Sequence, residues 1–336
     1  MEPASQLLLR NRSLFQGPAL VIGAPEDGVV GELGQGSGSV TFDYGAWQRQ
    51  GGEQSNWYWG YDQVPGDWRD VIVYMPKARS ELAMRLVFAA AAVTQDGSLW
   101  LVGGKNEGVA SGGKAFRSRF PDASKVDSAR HCQLWSTCLG ANEGVGGFNL
   151  KDWFSHWSLT LGGQHLELYG LPGIFSDGRL DAGTRMLLET FEVPPEGPVL
   201  DFACGSGVIG SWLLHRWPEL KVDLSDTQWQ AITCVRRLFA DVTHARILPG
   251  DGLSAARGPY GTIVTNPPFH QGVKTDRAVT ERFLRDVRRH LRPGGELRLV
   301  ANSFLPYPQL IREALGEVET LADNGQYRVY RAFRAK

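Results

Sequence analysis

Asn266, Pro267, Pro268 and Phe269 are the residues of this 336-residue chain whose types and order could do chemistry. The Asn266 side-chain oxygen can accept one N–H bond, and the Pro267 carbonyl can accept a second. Phe269 offers a flat face on which a base can stack, worth roughly 1–3 kcal/mol. Two acceptors facing the hydrogens of a planar amine pull its nitrogen toward tetrahedral geometry. That frees a lone pair otherwise delocalised into the ring. Asn266, Pro267 and Phe269 are therefore the candidate catalytic residues, and the implied chemistry is attack by the exocyclic amine of a nucleobase. Asn-Pro alone marks no more than a turn after a strand. The added Pro-Phe, placed directly behind a strand, carries the reading.

A β-branched run, Thr262-Ile-Val-Thr265, reads as that strand, buried on both faces. The two prolines end it, since neither can donate to a ladder. Asn266 precedes proline, so its backbone is pushed to an extended form. Open α/β sheets bind ligands at this edge. The flanking pattern agrees: strands are expected at 198–204, 220–226, 245–248, 262–265 and 296–302. Helices are expected at 207–217, 229–239, 278–291 and 309–315. Two last strands, at 318–322 and 326–333, meet at Asn324-Gly325, a hairpin signal. Alternating β and α predicts a doubly wound parallel sheet, here seven-stranded with one reversed terminal strand. A separate hairpin is expected where Gly162-Gly163 joins residues 157–161 to 165–169.

A second constellation precedes the catalytic one. Gly205, Gly207 and Gly210 fit G-x-G-x-x-G between a strand and a helix. Asp226 closes the next strand, where a carboxylate can take both hydroxyls of a ribose. Asp251, in Gly250-Asp-Gly252, can accept from an adenine amine. Dinucleotide enzymes share such glycine turns. Asp201, inside the strand before them, would oppose a diphosphate but suits a ligand carrying an ammonium and a sulfonium. With the terminal hairpin and Asn266 to Phe269, this favours S-adenosylmethionine over NAD. Asp201, Gly205, Gly207, Asp226, Asp251 and Asn266 are the expected cofactor contacts.

The first half repeats the second. Ala19–Asp27 aligns with Val199–Gly207, Val71–Lys77 with Thr262–Pro268, and Gly97–Val102 with Gly295–Val300. In this alignment Val21 replaces Asp201, Pro25 and Asp27 replace Gly205 and Gly207, and Met75 replaces Asn266. Without glycines the backbone cannot approach a ligand closely. The first copy is thus expected to be structural or RNA-binding, not catalytic. Its Gly/Ser-rich stretch 28–39 reads as loop.

Net charge is −1, so global charge does not make this a coat for nucleic acid; an RNA substrate needs a local patch. Helix 278–291 offers one: Val279, Phe283, Leu284, Val287 and Leu291 share one arc, and Arg282, Arg285, Arg288 and Arg289 the other. Those four arginines are the candidate RNA contacts, with a merely solvated face as the plainer alternative. Four scattered cysteines show no CxxC pair, and the histidines no ligand spacing, so no metal is expected. No apolar run is long enough to span a bilayer and no signal peptide is visible, which points to the cytoplasm and no membrane.

In these motifs the chain resembles the class I methyltransferases with an Asn-Pro-Pro-Phe signature. It resembles most the bacterial ribosomal RNA small subunit methyltransferase C family. Beyond Asn266 to Phe269, the resemblance is carried by the degenerate first copy, Lys125-Val-Asp-Ser-Ala-Arg130, Leu171-Pro-Gly-Ile-Phe175 and Leu180-Asp-Ala-Gly-Thr184. Phe202-Ala203 departs from the usual Leu-Gly. The resemblance implies two tandem Rossmann-like domains: residues 1–150 degenerate, residues 151–336 catalytic. It implies methyl transfer from S-adenosylmethionine to the 2-amino group of a guanine in 16S ribosomal RNA, naked or in the assembled small subunit, by a monomer. It also implies that Asp181 and Thr184 lie against the cofactor. The rival readings are a large-subunit guanine methyltransferase, a protein glutamine methyltransferase and a non-enzymatic ribosome-assembly factor.

Overall fold

A computed structural model describes residues 1–62, 66, 68–140, 147–175, 178–267 and 275–336. The chain divides into two compact units, Met1–Phe154 and Ser155–Lys336.

In the first unit the elements run α1 (Pro3–Arg10), β1 (Ala19–Ile22), α2 (Val29–Leu33), β2 (Gly38–Thr41), α3 (Tyr44–Arg49), β3 (Trp57–Trp59), β4 (Trp68–Tyr74), α4 (Arg79–Ala92), β5 (Val93–Gly104), α5 (Val109–Arg119), β6 (Ser124–Ala129) and β7 (Cys132–Cys138). The sheet order is β3-β2-β1-β4-β5-β7-β6, with β7 antiparallel to both its neighbours. The stretch expected to be loop at 28–39 contains α2. Val29, Val30 and Leu33 sit at helical spacing and are buried, so packing overrides the glycines around them.

The second unit opens with the expected hairpin, β8 (Ser155–Leu161) and β9 (Gln164–Gly170), turned by Gly162 and Gly163 at φ 57° and 78°. Then come α6 (Ala182–Glu189), β10 (Val199–Phe202), α7 (Val208–Arg216), β11 (Val222–Asp226), α8 (Trp229–Leu238), β12 (Ala245–Pro249), β13 (Tyr260–Thr265), α9 (Thr275–His290), β14 (Leu291–Asn302), α10 (Tyr307–Leu315), β15 (Val318–Asp323) and β16 (Tyr327–Phe333). The order is β12-β11-β10-β13-β14-β16-β15, and β16 is the reversed strand. This is the expected α/β fold, and the first unit repeats it strand for strand.

Why the central strands read as unbroken apolar runs is visible in the packing. Leu200, Ile263, Leu297 and Leu299 face Phe283, Leu284 and Val287 of α9 on one side. Val199, Val264 and Val300 face Leu213, Leu187 and the hairpin's Leu166 and Leu168 on the other. Each such side chain contributes roughly 1.5–3 kcal/mol by leaving water. The two layers clamp β10 and β13 and fix where Asn266 emerges.

Cross-strand register corrects one part of the internal alignment. Ala19 pairs with Asp70, as Val199 pairs with Thr262. Tyr74, not Met75, therefore stands where the second unit has Asn266. The turn after β1 is also one residue longer than its counterpart. Gly28 (φ 87°) caps α2 just as Gly207 (φ 82°) caps α7, so the capping glycine survives in the first copy.

Candidate active site

Asn266 leaves β13 half-buried, with Pro267 buried behind it. Its side-chain nitrogen donates to Asp181 Oδ2 at 2.8 Å and to Thr184 Oγ1 at 2.8 Å. Asp181 is the N-cap of α6 and also takes the Thr184 N–H at 2.9 Å. The carboxamide is thus held by its amine end, and no described residue bonds its Oδ1. Family resemblance implied that Asp181 and Thr184 touch a cofactor; here their polar atoms go to Asn266. Pro268 and Phe269 lie outside the described residues.

The three glycines do different work. A Cβ on Gly205 would meet open space, whereas one on Gly207 would come within 2.9 Å of Val235 and one on Gly210 within 2.8 Å of Leu224. Gly205 therefore leaves bare backbone facing open space, while Gly207 and Gly210 let α7 pack. Asp226 Oδ2 accepts the Gly205 N–H at 3.0 Å, and its Oδ1 accepts the Gln228 N–H at 2.8 Å. Asp251, one strand over, faces Arg282 at 3.4 Å.

Asp201 departs from expectation. It is fully buried and its Oδ2 accepts the Gly210 N–H at 2.9 Å, so it points into the start of α7 rather than out to a ligand. Burial pushes its carboxyl up to about 8, and the neighbouring Asp226 charge adds to the rise. Two carboxyl groups thus occupy N–H groups of the turn and helix start that a phosphate would need. A diphosphate is disfavoured on that ground, and any preference for a cationic ligand falls to Asp226, because Asp201 keeps its proton up to about 8.

Of the arginines proposed for RNA, Arg282, Arg285, Arg288 and Arg289 are all exposed, over a buried Phe283, Leu284 and Val287. Arg282 is drawn to Asp251 and is the least free of the four. Trp229 is 1% exposed and packs in the core. Two aromatics that sequence reading passed over stand at the same sheet edge. Tyr327, at the start of β16, lies against Gly183: a Cβ there would be 3.2 Å from its ring. Its hydroxyl is pushed above the ordinary range by burial first and then by Asp181. Phe304, just past the end of β14, is 80% exposed. Only the strand order, which puts β13, β14 and β16 side by side, could have singled them out. Among the described residues no cluster of His, Cys, Asp and Glu could hold a metal ion, and no helix is long and apolar enough to cross a membrane.

A parallel sheet with a reversed terminal strand, a glycine turn braced by carboxylates and an Asn-Pro-Pro at the central strand end define a class I methyltransferase. Residues 165–331 match the methyltransferase small domain model and residues 5–157 its N-terminal companion. A "Ribosomal RNA small subunit methyltransferase C" of Pseudomonas entomophila is 40% identical over 99% of this chain and 100% of its own. That of Hahella chejuensis is 39% identical over 98% of each. The chain belongs to this ribosomal RNA small subunit methyltransferase C family. Its fold is also that of a solved "T. Thermophilus 16S rRNA N2 G1207 methyltransferase" in complex with AdoMet and guanosine. That likeness has a TM-score of 0.85 at 23% identity and covers 99% of this chain and 92% of the other.

Proposed function

We propose that this protein transfers a methyl group from S-adenosylmethionine to the 2-amino group of a guanine in 16S ribosomal RNA, the base numbered 1207 in the T. thermophilus protein's description. One observation carries the reading. Asn266 is gripped by its amine end, which leaves its carbonyl oxygen as the acceptor for the hydrogens of an aromatic amine. The Pro267 carbonyl is the second acceptor, and Phe269 the stacking face. Positioning of this kind supplies most of the rate in such transfers. The guanine leaves its stack to reach the site.

The donor fits the residues around Gly205. Bare backbone there admits close approach, Asp226 takes the ribose hydroxyls, and Asp251 accepts from the adenine amine. When bound, the donor supplies an electrophilic methyl on a sulfonium. The exposed Arg285, Arg288 and Arg289 hold RNA phosphates. The catalytic work belongs to residues 151–336, and residues 1–150 are a degenerate copy. The protein acts in the cytoplasm as a monomer.

Methyl-transfer assays with small-subunit RNA, assembled small subunits and a glutamine-bearing release-factor protein test the reading. RNA labelled at a guanine 2-amino group is expected, and label only on protein, or none, overturns it. Replacing Arg285 and Arg288 by Ala should weaken RNA binding and flatten its salt dependence; an unchanged salt slope would mean a merely solvated face.

A further inference from the structure

We infer that Asp181 and Thr184 are positioning residues whose task is to fix which end of the Asn266 carboxamide faces the substrate. The inference rests on the methyl-transfer reading above but not on which RNA is the substrate. An asparagine side chain has two ends of nearly equal size and opposite polarity. Rotated by half a turn, Asn266 would offer its N–H groups to an amine, donor against donor, and could not draw out the lone pair. Here the rotated form is forbidden from behind. It would set the amide oxygen 2.8 Å from the Asp181 carboxylate and 2.8 Å from the Thr184 hydroxyl oxygen. The Asp181 carboxylate can only accept and repels that oxygen, whereas the Thr184 hydroxyl, which can also donate, would have to turn its proton, so the charged group decides the orientation.

The surroundings hold the grip itself in place. Asp181 Oδ2 accepts the Thr184 N–H at 2.9 Å, which locks the carboxylate to the first turn of α6. Thr184 is 7% exposed, so its rotamer is set by packing. Gly183 between them is tightly enclosed: a Cβ would stand 3.1 Å from Asp181 Oδ2 and 3.2 Å from the Tyr327 ring, and one of them would have to give way slightly. The same geometry explains why asparagine rather than aspartate stands at 266. A second carboxylate there would face Asp181 at the distance now spanned by an N–H.

The test separates positioning from cofactor contact. Single-turnover rate at saturating cofactor and RNA, and cofactor affinity by calorimetry, are measured for the wild type, Thr184→Val, Thr184→Ser and Asp181→Asn. Thr184→Val is expected to lower the rate about tenfold, the worth of one hydrogen bond. Cofactor affinity should stay within about twofold, and Thr184→Ser should restore the rate. Asn266→Asp should be strongly impaired, and adding Asp181→Asn to it should recover part of the loss, because donor and acceptor are then exchanged as a pair. An independent readout is the side-chain amide of Asn266 in selectively 15N-labelled protein, whose protons should exchange slowly in the wild type and faster in Thr184→Val. Loss of cofactor affinity with an unchanged saturated rate would overturn the proposal and make both residues cofactor ligands. A wild type that methylates no guanine would sink the functional reading instead, while the amide exchange still reports on the grip.

A different observation supports a second proposal: we propose that Phe304 is a stacking platform for a base of the RNA substrate. The loop that carries it is well pinned. The Ser303 N–H donates to Gln326 O at 2.8 Å, and the Ser303 hydroxyl donates to Gly325 O. Yet the ring is 80% exposed, just past the end of β14 and next to the strand that ends in Asn266. By sheet register the first unit has Asn106 there, so the fold does not call for an aromatic. Phe304→Ala should raise KM for RNA about tenfold, with cofactor affinity and melting temperature unchanged, and Phe304→Trp should restore it, whereas Phe304→Leu should not. An unchanged KM in Phe304→Ala, or full rescue by Leu, would overturn it.

Discussion

At the sheet edge where the second unit sets out Asn266, Asp226 and Asp251, the first unit sets out Tyr74, Thr41 and Tyr61. The last pairing follows from matching bonds, Gly60 N–H to Thr41 O at 2.9 Å and Gly250 N–H to Asp226 O at 3.0 Å. The backbones agree and the side chains do opposite things. Tyr61 is buried among Phe42, Phe88 and Phe148, with ring centroids 4.8, 4.7 and 5.3 Å away. The Arg85 guanidinium lies 4.7 Å from the Phe42 centroid, donates to Tyr74 O at 3.1 Å and pairs with Glu81 at 2.6 Å. It fills the space over Gly23 so fully that a Cβ there would meet it at 2.1 Å. The first unit has closed its ligand edge with its own side chains; the second keeps Asn266, Asp226 and Asp251 half-exposed there. What separates a binding copy from a degenerate one here is occupancy of the same cleft, not loss of the fold.

The contrast breaks most readily at Arg85. Arg85→Ala leaves Glu81 buried without its partner and should destabilise the first unit by about 3–5 kcal/mol, read by denaturant unfolding. Cofactor affinity should be unmoved; an unaltered midpoint would mean the edge is not closed by this pair. On the other side, Asn266→Ala should cut the single-turnover rate on the order of a hundredfold, as loss of one preorganised polar contact does. RNA affinity should barely change, since phosphates dominate it. A wild-type rate would remove the central claim. Asp226→Thr, which copies the first unit, should weaken cofactor binding by about 1.5–3 kcal/mol. Calorimetry of the wild type should count one cofactor per chain, and a count of two would erase the contrast.

Asp201 gives a pH-dependent version. Its carboxyl is held up to about 8, so the folded chain keeps a proton that the unfolded chain releases above its ordinary value of 3.8. Its contribution is fullest below that value and is lost as pH rises through about 8. Asp201→Asn keeps an acceptor for Gly210 N–H and buries no charge. It should be more stable than the wild type at pH 8, on the order of 1–2 kcal/mol once local relaxation softens the penalty, with the gap closing by pH 5. The smallest effect belongs to the residue after each first strand. Gly23 sits at φ 74° without strain, while Ala203 is held at φ 58°. Ala203→Gly should raise stability by less than about 1 kcal/mol, because relief of the left-handed strain is partly offset by unfolded-chain entropy.

Much of this was legible in the sequence, and the rest for identifiable reasons was not. Thr262 to Pro267 announced its own strand and its stop, because proline and β-branching act locally. The repeat was legible too, but its register at β4 was not: one string ends in a single proline and the other in two, and only pairing across the sheet settles which residue faces which. The glycine turn was legible as the link between a strand and a helix, yet the inward aim of Asp201 was not, since a strand residue's face depends on what packs over it. The grip of Asp181 and Thr184 on Asn266 joins residues more than eighty positions apart. No local pattern encodes it.

The Arg85–Glu81 pair has a thermodynamic consequence. A site that a ligand fills only in the folded form lends stability in proportion to supply, about 2.7 kcal/mol at a hundredfold excess over Kd. On the functional reading above, the second unit's resistance to unfolding rises and falls with the donor. The first unit carries tethered occupants that never dissociate, so that resistance does not follow any small molecule's concentration. One half of the chain is a gauge of methyl supply, and the other half is indifferent to it.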